Sequence, residues 1–291
     1  MARGLELLLS AILLAGLYAT MAYGLGLIYG VLRIVNLNHG GMLMAGAYLG
    51  WWLHEHAQLD PYLSLPIVAA FSFGLGVIIY RGLVRRLPRG AAGGVQSLLL
   101  LFGVWLLLRN AAYLWFTGND QVIRTEYSTS AVVILGSSLS VNRLVVFAIA
   151  ALMLVSLHLL LTRTYLGKAI RAVAQNADSC TLAGVQVEWI YTLTFGIGSA
   201  LAGIAGLLLG TLFTFNPSFG AVELLKSFVI VVLGGLGSVM GTAIAALILA
   251  MVEVFAILVM PAYLTGAVGF VLLVLVLIFR PGGIFGHRVL G

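Results

Sequence analysis

LELLLSAILLAGLYATMAYGLGLIYGVL, residues 5–32, runs for 28 positions with Glu6, Ser10 and Thr20 as its polar or hydroxyl interruptions. As a helix it would be about 42 Å long, more than the roughly 30 Å hydrocarbon core of a bilayer. Arg3 ahead of it resembles the start of a signal peptide. Such apolar regions end after about 7–15 residues, however, and no A-x-A site closes this one. It reads as a retained, tilted membrane span. The rest of the chain has the same character: of 291 residues, 62% are apolar and 8% charged, against about 25% charged in soluble proteins. Soluble and disordered readings are excluded. A disulfide framework is excluded by the single cysteine, Cys180. The 36 glycines would weaken soluble helices but let backbones approach closely in lipid. Long continuous apolar runs, rather than ten-residue alternation, argue against a β-barrel. The fold class is therefore all-α: a polytopic integral membrane helical bundle forming one domain over residues 1–291.

Further apolar runs lie at about 40–53, 62–80, 93–116, 141–161, 189–213, 222–258 and 262–279. The run 222–258 is too long for one span and is broken at Gly234-Gly235-Leu236-Gly237-Ser238. Two shorter segments meeting there bring the total to eight or nine membrane segments, some broken at Gly-rich turns. The formal charge of +6 is a topology signal, not a nucleic-acid surface. Residues 81–90 (RGLVRRLPRG) hold four arginines and no acid. Arg163, Lys168 and Arg171 follow in the connection 162–188, and Arg280 and Arg288 in the tail. Glu55, Asp60, Asp120 and Glu126 sit in the other connections against Arg124 alone. The positive-inside rule makes the first set cytoplasmic, with Arg33 and the C-terminus inside and the N-terminus outside. Residues 34–48 and 231–245 each join an apolar run to a Gly-rich break and a small-residue helix. Paired interrupted segments of this kind point to a translocation path in transporters.

The connection 164–185 carries the clearest local signals. Residues 166–175 can form a helix with Lys168 and Arg171 on one face. Asp178 is a good N-cap and Gly184 a good C′ residue, bounding a short helix at about 179–183. Such a helix either presents a rigid knob to a partner or covers its own bundle. Within the spans, Glu223 and Lys226 have the i, i+3 spacing of a local ion pair, with a polar lip on an external vestibule as the alternative. Glu253, between two valines, should pack into the bundle or be protonated. Asn36, Asn38 and His39 precede Gly40 and Gly41 at a turn. They either place polar groups on the path or satisfy the turn's own backbone. His54-Glu55-His56 lacks the spacing of H-E-x-x-H and reads as a solvated exterior loop. Cys180 has no nearby His and reads as a small residue of the short helix; His158 reads as an interface residue. No catalytic residue, metal site or cofactor is expected.

Four stretches then resemble the permease subunits of ATP-binding cassette importers for branched-chain amino acids. They are Gly26–Gly40 running on to Gly46-Ala47-Tyr48; Gly167–Asn176 with Ala183-Gly184-Val185; Lys226–Ser238; and Phe279–Gly286. The Asn38-His39-Gly40 stretch resembles the first of the two permease types more than the second, although many relatives place alanine before that histidine. The resemblance implies a multi-pass inner-membrane protein working with a second permease, two cytoplasmic ATPases and an external substrate-binding protein. It places ATPase coupling in the loop 164–185, at Lys168, Arg171, Asn176, Asp178, Leu182, Ala183 and Gly184. Consistent with this, the chain has no G-x-x-x-x-G-K-[ST] phosphate loop.

The expected function is import of branched-chain or other apolar amino acids. Urea or short amides are the alternative within the class, and an ion-coupled secondary transporter is the alternative outside it. The candidate path residues are Asn36, Asn38, His39, Gly234, Gly235, Gly237 and Ser238. Few fixed charges line the spans, which suits a zwitterion or neutral solute.

Overall fold

A computed structural model describes residues 2–88, 91–128, 130–134, 137–261, 264–280 and 282–284. Arg89, Arg288 and the last residues of the 279–286 stretch lie outside them. The apolar runs become helices close to where the sequence places them. They are α1 (Ala2–Leu32), α2 (His39–Ala57), α3 (Leu65–Gly82), α4 (Ala91–Phe116) and α5 (Val141–Arg163). After two short helices, α6 (Tyr165–Gln175) and α7 (Ala177–Leu182), come α8 (Val187–Leu212), α9 (Phe219–Gly234), α10 (Val239–Ala256) and α11 (Thr265–Phe279). Six of the helices among the described residues are long and apolar enough to cross a membrane. α9 and α11 are shorter, at 16 and 15 residues.

The break in the 222–258 run falls at residues 235–238, where Gly235 and Gly237 have φ of 92° and 86°. The Ser238 hydroxyl accepts from the Gly241 N–H at 3.0 Å and caps α10. The connection between α4 and α5 holds one feature the sequence does not announce: a hairpin of β1 (Ala131–Ile134) and β2 (Ser137–Ser140), in register Ala131 to Ser140.

α8 is the centre of the bundle, wrapped by α1, α2 and α3. The reason is glycine. A Cβ on Gly206 would lie 1.8 Å from the Leu43 carbonyl oxygen, and one on Gly46 2.0 Å from that of Gly203. The α2 and α8 backbones therefore touch directly, as small residues permit in lipid.

Contacts sort the connections into two ends. At one, Ile284 N–H donates to Leu233 O at 2.8 Å, Arg85 pairs with Glu188 at 3.5 Å, and Gly30 lies against Gly237. At the other, His54 donates to Arg124 O at 3.0 Å, Gln121 bridges Phe215, and Tyr62 donates to Asn142, which donates to Thr211 O at 2.7 Å. Burial pushes the Tyr62 phenol up to about 12, so it remains a neutral donor there. These are the ends the charge pattern separates. The positive-inside rule predicts the arginine-rich end to be the cytoplasmic, inner one and the other to be the outer one. The reading of His54-Glu55-His56 as a solvated loop needs correction: these residues form the last turn of α2, and His54 is tied to two loop carbonyls.

Candidate coupling and translocation sites

The connection 164–186 folds as two capped helices. Thr164 caps α6 by accepting from Gly167 N–H at 3.0 Å. α6 turns Gly167, Ile170 and Val173 inward and leaves Lys168 and Arg171 exposed. One residue later, Asn176 caps α7 by accepting from Ser179 N–H at 2.9 Å. The expected cap, Asp178, is not the cap; it is the acidic residue of the first turn. The helix thus starts at Ala177 and ends at Leu182, rather than spanning 179–183. Its other end is as expected. Gly184 has φ +81°, its N–H donates to Thr181 O, and Val185 N–H donates to Cys180 O. That pair of bonds is a Schellman closure, with glycine at the left-handed position. Cys180 is buried against the bundle while Leu182 is 91% exposed.

The cap assignment has a direct check. Asn176→Ala should cost about 1 kcal/mol of local helix stability, whereas Asp178→Ala should cost only a few tenths through the helix dipole. Amide exchange across residues 178–182 should quicken about fivefold in the first variant and little in the second. The reverse order would return the cap to Asp178.

The two candidate path breaks do not share one chamber. Gly237 and Ser238 line a cavity of about 820 Å³ at the cytoplasmic end, between α1, α5, α6 and α10. Gly234 and Gly235 lie beside it at the end of α9. Asn36, Asn38 and His39 line neither this cavity nor the outer one; all three are fully buried. His39 Nε2 donates to Met21 O at 2.8 Å, while the side-chain amides of Asn36 and Asn38 have no hydrogen-bond partner among the described residues.

A second cavity of about 400 Å³ opens at the outer end, lined by Asp120, Phe213, Asn216, Ser218, Phe219 and Glu223 among others. Beneath it runs a polar chain. Glu223 pairs with Lys226 at 3.4 Å, Lys226 donates to the Tyr18 hydroxyl at 3.1 Å, and Tyr18 donates to Glu253 at 2.5 Å. The local ion pair is therefore present, and Glu223 also touches the external cavity. Glu253 packs into the bundle. Tyr18 and Tyr23 were not singled out from the sequence, and Arg33 was read only as a topology signal; Tyr23 and Arg33 line the inner cavity. His158 and Arg171 line it as well.

The family model for the branched-chain amino acid transport system permease component matches residues 7–277. The chain is 31% identical to the high-affinity branched-chain amino acid transport system permease protein BraD of Pseudomonas aeruginosa, over 97% of this chain and 96% of that one. It is 28% identical to the corresponding permease LivH of Escherichia coli, with the same coverage. The match to LivM of Escherichia coli is 27% over 80% of this chain and 60% of that protein. No solved structure matches.

Proposed function

This chain belongs to the branched-chain amino acid transport permeases, and from that premise we propose how it works. It is a multi-pass membrane permease of an ATP-binding cassette transport system for branched-chain amino acids, of the first permease type, and a transport subunit, not an enzyme. Its family implies a complex with a second permease. In the proposed mechanism, α7 docks into a groove on one of two cytoplasmic ATPases, and an external binding protein delivers substrate to the outer cavity for import.

The observation that carries this reading is the capped helix α7, held from below by Cys180 and presenting Leu182 91% exposed at the cytoplasmic end. Leu182 and Tyr165, 91% and 85% exposed on the same connection, are the apolar groups that such a groove would cover. Lys168 and Arg171, on α6, flank α7, and Asn176, Ala183 and Gly184 set its ends. The path runs past Gly237 and Ser238, with Gly234 and Gly235 shaping the break. Asn36, Asn38 and His39 support the second break from inside the bundle, leaving selectivity to the binding protein.

Reconstitution of the complete transporter in liposomes tests the function. Leucine uptake should require ATP and binding protein, and an ion gradient alone should drive none. Uptake without nucleotide would make the chain a secondary transporter. The coupling assignment has its own test. A Cβ on Gly184 meets nothing within 4 Å, so only the backbone conformation is at stake. Gly184→Val puts a β-branched residue into the left-handed region at about 1–2 kcal/mol, enough for roughly a 5- to 30-fold loss of coupled transport. Gly184→Asn, which tolerates that region, should retain most of it. Equal, normal uptake and receptor-stimulated hydrolysis in both would leave the loop a plain connector.

A further inference from the structure

We propose that the inner cavity is the chamber from which an α-amino acid with an apolar side chain leaves for the cytoplasm, with Arg33 and Arg171 drawing its carboxylate and α6 forming the wall that moves. The inference rests on the reading of the chain as an import permease.

The lining has the required chemistry. Its walls are mostly aliphatic, Leu157, Leu161 and Met240 among them, and its volume of about 820 Å³ is in the range of small-molecule sites. Among the described residues Arg33 and Arg171 line it and no Asp or Glu does. Tyr23 also lines it, is only 4% exposed, and its hydroxyl has no hydrogen-bond partner among the described residues. Leu236 and Gly237 put broken backbone into the same wall. Arg33 itself has φ 57°, a strained conformation for a residue with a side chain.

The outer cavity carries the opposite sign. Among the described residues Asp120 and Glu223 line it and no Lys or Arg does, with Glu223 already paired to Lys226. A zwitterion would be met outside by its ammonium and inside by its carboxylate. Neither chamber offers charged partners to both ends of the solute, which suits passage rather than retention.

The link to coupling is covalent. α6 supplies Ile170, Arg171, Ala174 and Gln175 to the chamber wall, and Asn176 is the only residue between α6 and α7. A pull on α7 therefore moves the wall.

The test uses the complete transporter in liposomes and a charged, membrane-impermeant methanethiosulfonate applied from the cytoplasmic side. Untreated and treated wild-type complexes set the baseline, including any contribution from Cys180. Ala243→Cys should react, react more slowly in the presence of leucine, and lose uptake on modification. Thr162→Cys serves the same purpose if the first variant does not accumulate. In parallel, Arg33→Gln should lower leucine uptake about three- to tenfold, the scale of one lost charge-assisted hydrogen bond, while receptor-stimulated hydrolysis persists. If both cysteine variants stay inert to the aqueous reagent, lipid or a protein partner fills the cavity and the proposal is overturned. Modification without loss of uptake overturns it equally. Failure of the wild-type complex to take up leucine would instead strike the import reading itself.

Discussion

Gly206→Ala should prevent this permease from accumulating, although it adds a single methyl group. The new Cβ would lie 1.8 Å from the Leu43 carbonyl oxygen and 2.6 Å from its carbon, both backbone atoms that cannot rotate away. Helices α2 and α8 would have to separate by well over an ångström. α8 cannot yield toward the far side, because α1 and α3 also pack on it at close range: Gly24 would clash at 2.4 Å with Gly198 O, and Gly76 at 2.4 Å with Ser199 Oγ. Overpacking a core costs about 1–3 kcal/mol when side chains can adjust; with backbone on the opposing wall the cost lies at or above the top of that range. Against a total stability of about 5–15 kcal/mol, the variant should be degraded or extracted as aggregate. The measurement is membrane level and monodispersity after detergent extraction. Gly103→Ala in α4, where a Cβ would meet nothing within 4 Å, is the control and should be normal. A normal level of Gly206→Ala would mean that the α2–α8 crossing is looser than described.

Lys226→Met should be the next most damaging change. Lys226 is the single cation in a chain of groups that includes Glu223 and Glu253, and its ammonium also sits 5.1 Å from the centre of the Tyr18 ring. Removing one partner of a buried ion pair costs about 3–5 kcal/mol because the remaining charge is stranded. With Lys226 and Glu223 still 23% and 13% exposed, the lower end of that range applies. Replacing both members together, as Lys226→Met with Glu223→Gln, should recover much of the loss, since a neutral amide has no charge to strand. A thermal-stability cycle on the purified complex checks this. A double variant as unstable as the single one would show that Lys226 acts on something other than Glu223.

The helices were legible because lipid demands long apolar runs, and the break at 235–238 because glycine at that density cannot continue a helix. Boundaries agree within a few residues, as in the run 93–116 against Ala91–Phe116. The cap of α7 was misplaced for a local reason. Asn176 and Asp178 are both capable caps, and the choice depends on where α6 stops, which spacing alone does not decide. The inner cavity was legible only at the break, where Gly237 and Ser238 were read as path residues and do line it. It gathers Tyr23, His158, Arg171 and Met240 from helices far apart in the chain, and Tyr18 meets Glu253 across 235 positions. No periodicity records such meetings. The glycines that make the crossings possible were visible only as an excess.

The neighbouring helices α9, α10 and α11 have 16, 18 and 15 residues. At 1.5 Å per residue they are about 24, 27 and 22 Å long, whereas α1, with 31 residues, is about 46 Å. The flank that carries α9 and α11 is therefore shorter than the hydrocarbon slab around it. Where lipid meets that flank, the membrane must thin or the protein must seek a companion that hides the deficit, at fractions of a kcal/mol per ångström. Shorter-chain lipids would gather at that flank, and the same thickness deficit favours burying it against another subunit.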